Sequence, residues 1–145
     1  MDELELVCQQ AARNLAARGE RPLRPSVVLP LPSATKVTTL PEWPDADPDR
    51  FDLLVRFAAD EMRPANAACY GLVAEAEVEG EGDTVDVVVV AYGARHHHPR
   101  VTAAPLLGGE EVGDFLPSEE LDATALPFLS PLQHAADAAT PPDAI

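Results

Sequence analysis

Three consecutive histidines, His96 to His98, are the side chains in this chain with the most specific chemistry. Imidazole is the commonest side-chain metal ligand, which makes His96 and His98 candidate metal ligands. Neighbouring residues of an extended segment, however, point in opposite directions, and a zinc site draws ligands from several elements. The only other histidine is His134, in the C-terminal part of the chain. We therefore favour a solvated polar loop between two strands.

A cluster of carboxylates is the second candidate. Glu75, Glu77 and Glu79 recur at every second residue, so they should project from one face of a strand, and Asp83 and Asp86 follow across a turn. Paired carboxylates can act as general acid and base or bind a hard cation. Neither role needs regular spacing on an exposed face, so we favour a solvated hairpin face. If this face has a function, we expect it to dock a basic partner.

Two single side chains have two interpretations each. Trp43, the only tryptophan, lies in an extended segment between two prolines. It could anchor an interface or cover the open end of the core. Glu61, near the end of a predicted helix, would be a candidate functional carboxylate if it were buried beside Arg63 or Arg95. The interpretation we favour is a charged helix end in water.

Net charge restricts the classes of partner. The chain has 10 Lys and Arg against 25 Asp and Glu, a formal charge of −15. Repulsion from phosphate argues against nucleic acid and against an anionic membrane surface, whereas a basic protein partner is compatible. Acidity also keeps proteins soluble and suits a salt-rich cytoplasm. Lys36 is the only lysine, and this bias towards arginine could equally reflect GC-rich coding.

The chain shows no targeting signal, so we predict a cytoplasmic location. Its first residues are acidic where a signal peptide is basic, and no apolar run approaches the length of a membrane span. Cys8 and Cys69 fall in a predicted helix and a predicted strand, which is typical of small buried apolar side chains. Their number and spacing do not require a disulfide. We expect no cofactor.

Periodicity predicts the elements that must position these side chains. A helical apolar stripe predicts a first helix from Asp2 to Arg18, and two β-prone runs flanked by prolines predict strands at Ser26 to Leu29 and Thr35 to Leu40. A second helix should begin at an Asp47 cap and end at Arg63, before a proline. Its predicted apolar stripe consists of Phe51, Leu54, Val55, Ala58 and Met62.

The following residues predict a β-meander. Alternation from Tyr70 to Glu79 and a β-branched run from Thr84 to Tyr92 predict a hairpin, and Arg100 to Ala104 predicts a third strand. The four valines at positions 87–90 favour a central strand covered on both faces. In the Pro-rich remainder, Ser118 to Leu121 predicts a capped helical turn, and Ser130 should open a short helix.

The order helix-strand-strand-helix-strand-strand-strand predicts an α+β fold. We expect an antiparallel sheet of about five strands, with two main helices packed on one face or flanking it. A chain of 145 residues suits one domain. We assign residues 1–116 to a single α+β domain and residues 117–145 to a Pro-rich C-terminal segment with short helical pieces and a flexible end.

The sequence lacks a phosphate-binding loop and a serine nucleophile motif. We therefore predict a small acidic protein-interaction module without catalytic activity, and an inhibitory or immunity-type role fits its size and charge. Docking would use the strand carboxylates, Trp43 or the Pro-rich segments. The alternative is a small-ligand- or metal-binding enzyme that uses His96 and His98 with Glu75 and Asp86. A third hypothesis is a homodimer joined along an exposed strand edge.

Overall fold

A single antiparallel sheet forms the centre of the computed structural model, which describes residues 2–18, 24–31, 34–40, 43–79, 82–106, 112–121 and 127–139. The strands are β1 Ser26–Pro30, β2 Thr35–Thr39, β3 Cys69–Glu79, β4 Thr84–Ala94, β5 Arg100–Pro105 and β6 Glu119–Glu120. They lie in the order β2-β1-β3-β4-β5-β6. The helices are α1 Asp2–Ala17, α2 Asp47–Phe57, α3 Arg63–Ala65 and α4 Ser130–Asp137. A π-helical turn, Ala58–Met62, joins α2 to α3, and a 3-10 turn, Pro127–Leu129, precedes α4. The predicted α+β class and β-meander are confirmed.

Helices cover both faces of the sheet. On one face α1 packs against Val73 and Val90, which are paired across β3 and β4. On the other face α2 and α4 pack around the next pair, Leu72 and Ala91. The sequence pattern left open one face or a flanking position, and the structure places the helices on both sides. The valine run of β4 accordingly lies in an interior strand between β3 and β5.

A glycine allows α1 to approach the sheet closely. The Sγ atom of Cys8, in α1, lies directly over Gly71 of β3, where an added Cβ atom would be only 2.3 Å from it. Any larger residue at position 71 would therefore collide with the helix. Near the start of α1, the Tyr92 hydroxyl donates a 2.8 Å hydrogen bond to the Glu5 carboxylate.

The second predicted helix is present, but both of its ends differ from the prediction. Asp47 is not the cap: the alanine before it is the N-cap, and no side chain bonds the free amides there. Pro64 does not stop the helix at Arg63, because the chain continues through α3 to Asn66, which has a left-handed φ of 55°. In the π-helical turn the Arg63 N–H bonds five residues back, to the Ala58 carbonyl, instead of four. This wider turn accommodates Pro64, because a proline has no N–H to donate and its ring crowds the carbonyl four residues back.

The buried face of α2 is rotated relative to the predicted stripe. Phe51 and Val55 are 40% and 43% exposed, while Leu54 and Phe57 are buried. Arg50 lies on the row that faces the core, where it stacks its guanidinium on aromatic rings. A prediction from apolar residues alone assigns every arginine to the solvent-exposed face, and it therefore misplaces the buried face of α2.

The predicted helical turn at Ser118 to Leu121 is wrong. Residues Glu119–Glu120 form β6, which pairs with β5 at Arg100 and Val101. Arg100 donates hydrogen bonds to the Ser118 hydroxyl, at 3.2 Å, and to the Ser118 carbonyl, at 2.8 Å. Ser118 therefore holds a strand in place and caps no helix.

The short C-terminal helix is confirmed as α4. Its N-cap is Leu129 rather than Ser130, whose hydroxyl donates to the Pro127 carbonyl at 3.4 Å. Leu132 is fully buried against α2 and the sheet. The predicted flexible end, residues 140–145, lies outside the described residues. Of the helices in the described ranges, none is long and apolar enough to span a bilayer.

Candidate functional site

The outer half of the β3–β4 hairpin extends beyond its neighbours. β1 pairs with β3 only at residues 71–73, and from residue 74 outward the described chain places no strand on that side. On the other side, β5 pairs with β4 from Val87 inward. We call residues 75–79 and 84–86 the hairpin arm.

One face of the hairpin arm carries the predicted carboxylates. Glu77 lies directly opposite Asp86 across the two strands, and both side chains are exposed. Glu75 is half-buried at the next position inward on the same face, and Glu79 occupies the last paired position of β3. Within the described residues neither Glu77 nor Asp86 has a cationic partner. The sheet thus brings Glu77 and Asp86 together, with Glu75 next to them on the same face.

The opposite face of the hairpin arm is apolar. Val78 and Val85 are paired across the strands and are 46% and 39% exposed. This surface leads inward to a groove of about 320 Å³ whose walls include Trp43 and Phe128. Most of its other lining residues are apolar, and Arg50 and Glu75 are the charged ones among the described residues: Leu72, Ala74, Ala76, Val89, Ala91, Arg50 and Glu75. The arm therefore offers a partner two chemically different faces.

Trp43 both covers the core and lines this groove. Its ring packs edge-on against Phe128, with the ring centroids 5.3 Å apart. The Arg50 guanidinium lies 4.8 Å from the Trp43 ring centroid and 5.6 Å from that of Phe128, and it donates a hydrogen bond to the Pro44 carbonyl. Sequence reasoning missed Arg50, whose role depends on a Phe128 contact far along the chain. Trp43 remains a prediction as an interface anchor.

The histidine loop lies at the other end of β4 from the carboxylates. His96 has a left-handed φ of 59°, and its N–H donates a 2.8 Å hydrogen bond to Asp137. The Nε2 atom of His98 lies 3.1 Å from the Leu121 carbonyl oxygen, a distance that fits donation by the ring. Asp86 lies eight positions, about 26 Å, from the end of β4 at Ala94. The site proposed for an enzyme is therefore not assembled.

No metal centre forms among the residues that the structure describes. Across those ranges, no three or more His, Cys, Asp or Glu side chains converge closely enough to hold an ion. His96, His97 and His98 are all exposed. The candidate metal ligands His96 and His98 thus stay a prediction from sequence.

Glu61 pairs with a residue that the sequence did not suggest. Its carboxylate accepts a 2.6 Å hydrogen bond from Lys36 of β2, not from Arg63 or Arg95. The Lys36 and Glu61 side chains are 53% and 36% exposed, so the pair contributes about 0–1 kcal/mol to stability. Glu61 thus lies half-exposed in the π-helical turn, paired with Lys36, and is not the buried carboxylate that a functional role would require.

The two thiols are protonated and shielded rather than activated. Burial, with the Cys69 charge as a smaller cause, raises the pKa of Cys8 to about 12. Burial also raises the pKa of Cys69. Both cysteines are free, and at neutral pH neither supplies the thiolate that nucleophilic catalysis requires.

Searches among protein-family models, curated proteins and solved structures find no match to this chain. Function must therefore be inferred from the surfaces themselves, and the hairpin arm is a surface on which exposed carboxylates lie side by side. A carboxylate face backed by an apolar face can hold a partner by charge on one side and by desolvation on the other.

Proposed function

We propose that this protein is a non-enzymatic interaction module that docks a basic protein on the hairpin arm. One observation carries the proposal: Glu77 and Asp86 lie directly opposite each other, exposed and without a cationic partner among the described residues. Carboxylates in this position repel each other. A Lys or Arg side chain of a partner placed between them would relieve that repulsion.

The rest of the molecule supports docking at this position. A net charge of −15 steers a cationic protein towards the surface, where the arm presents the exposed carboxylates of Glu77 and Asp86. Val78 and Val85 on the reverse face supply apolar area that a partner can desolvate. The groove beside Trp43 has room for one anchoring side chain. An inhibitory or immunity-type role is consistent with such a module.

The test is a pull-down from native lysate with three baits at low and at high salt. The first bait is the wild type and the second carries Glu77→Lys and Asp86→Lys. The third carries Glu119→Lys and Glu120→Lys, exposed carboxylates of β6 that change the net charge equally. We expect a stoichiometric basic partner that the wild type and the β6 variant retain, that the arm variant loses, and that salt releases.

Association rate constants of the variants then show which surface the basic partner approaches. The arm variant should lower the association rate constant by about tenfold or more, with a smaller effect from the β6 variant. A partner held equally by all three baits, or one whose binding does not respond to salt, would exclude the arm as the docking site.

A further inference from the structure

The edge strand β2 has an open side. It is the last strand of the sheet and pairs only with β1. Folded proteins usually protect such an edge with charge, proline or a bulge. The segment Thr35–Thr39 contains no proline, and its single charge, Lys36, is already bonded to Glu61. In the described part of the chain no element covers this edge.

A groove of about 590 Å³, with no carboxylate among its described lining residues, runs beside this edge between α1 and β2. Val37 of β2 and Leu6 of α1 line it and are 40% and 65% exposed. Its other described lining side chains include Gln10 and Asn14, and among them Arg18 is the only charged one. This face therefore differs from the acidic surface that dominates the composition.

We propose that β2 pairs antiparallel with β2 of a second copy, about a twofold axis through Val37. This register places Val37 opposite Val37, Lys36 opposite Thr38 and Thr35 opposite Thr39 of the second copy. Every residue of the strand is then paired, and the two sheets become continuous. Cross-strand pairs of threonines and of β-branched residues stabilise such ladders.

The self-complementary sequence of β2 favours a second copy as the occupant, and charge allows it. Two molecules of charge −15 repel, and this repulsion is weakest where carboxylates are absent, as they are among the described residues that line the groove beside β2. The positive charge of Lys36 is neutralised within its own chain by Glu61, so it offers an acidic partner little steering. The strand is also self-complementary, with threonines near both ends around a central valine.

The pairing has two structural consequences. Val37 faces the same side of the sheet as α1, because its partner Val28 packs under that helix. A twofold axis perpendicular to the sheet keeps both α1 helices on one side, so the two grooves merge into one. The axis also reverses strand direction, so the hairpin arms point to opposite ends of the dimer and present two docking sites.

Analytical ultracentrifugation over a concentration series tests the proposal. We expect a dimer whose affinity rises with salt, since salt screens the repulsion between two acidic molecules. Val37→Lys should give a folded monomer, because it places two ammonium groups at the axis. Val78→Lys, which adds the same charge at an exposed valine of the hairpin arm, should leave the dimer intact. A monomer at every concentration, or a dimer that survives Val37→Lys, overturns the proposal.

Cysteine cross-linking tests the register. Residues directly opposite in an antiparallel pair have Cα atoms about 4.5–5.5 Å apart, within reach of a disulfide. Val37→Cys should therefore form a covalent dimer under copper-phenanthroline. Thr38→Cys should not do so alone, but should cross-link when mixed with Lys36→Cys. The wild type controls for Cys8 and Cys69. Cross-linking of Thr38→Cys alone at the rate of Val37→Cys would refute this register.

Discussion

The inner and outer halves of the β3–β4 hairpin have the same backbone pairing and opposite environments. In the inner half Val73 and Val90 are fully buried, whereas in the outer half Val78 and Val85 are 46% and 39% exposed. The two strands run without a break through both halves, but the helices cover only the inner half. Valine favours a strand in both places, so coverage decides which half belongs to the core and which half is available to a partner.

The largest effect should come from placing a charge in each half. Val73→Glu puts a carboxylate beneath α1 with no partner, and we expect it to cost more than about 4 kcal/mol and to prevent folding. Val78→Glu makes the same chemical change on the same strand, and we expect it to cost less than about 1 kcal/mol. Urea denaturation followed by circular dichroism measures both. Equal costs would show that the two halves are equally covered.

An intermediate effect should appear at high pH, through the Cys8 thiol, which packs against the inner half of the hairpin. The pKa of Cys8 is about 12 in the folded state against an ordinary 9.0, so the folded protein holds this proton more tightly. The stabilisation is complete below pH 9.0 and is lost as pH rises towards 12. Relative to Cys8→Ala, the wild type should lose about 1.4 kcal/mol for each pH unit in that window.

Urea midpoints of the wild type and Cys8→Ala at a series of alkaline pH values check this expectation. Tyr70 and Tyr92 also titrate at high pH, but they do so in both proteins and cancel in the difference. A constant difference between the two proteins through this range would mean that burial does not raise the pKa of Cys8 in the folded state.

Local patterns in the sequence were enough to predict the hairpin. The alternation in β3 and the valine run in β4 specify strands because each residue's environment repeats with the backbone period. The carboxylate cluster followed from the same count, since residues two apart share a face. These features depend only on neighbours in the chain, and the structure confirms their placement.

Features that depend on distant contacts could not be predicted in this way. The β6 strand forms because Arg100 binds Ser118 across the fold, whereas the local residues resemble a helix start. Arg50 faces the core because Phe128 and Trp43 stack on it. The open edge of β2 depends on strand order, which no local pattern specifies.

The two proposed surfaces should respond to salt with opposite signs. Docking of a basic partner on the hairpin arm is an attraction between unlike charges, so salt should weaken it. Pairing of two copies at β2 works against repulsion between like charges, so salt should strengthen it. Both responses can be measured on one protein, and a shared sign would show that one of the two surfaces has been misassigned.

The smallest effect should be a gain in stability on the outer half of the hairpin. Glu77→Lys replaces repulsion from Asp86 with attraction, and we expect it to raise the free energy of unfolding by about 0.2–1 kcal/mol. Glu119→Lys lies opposite Val101 and should not give this gain. Urea midpoints at low salt measure the difference, and added salt should reduce it.

If Glu77→Lys instead lowers stability, the carboxylate supports the fold directly. If it stabilises the fold while weakening docking, the pair is kept at a cost to stability, which is what a binding surface requires.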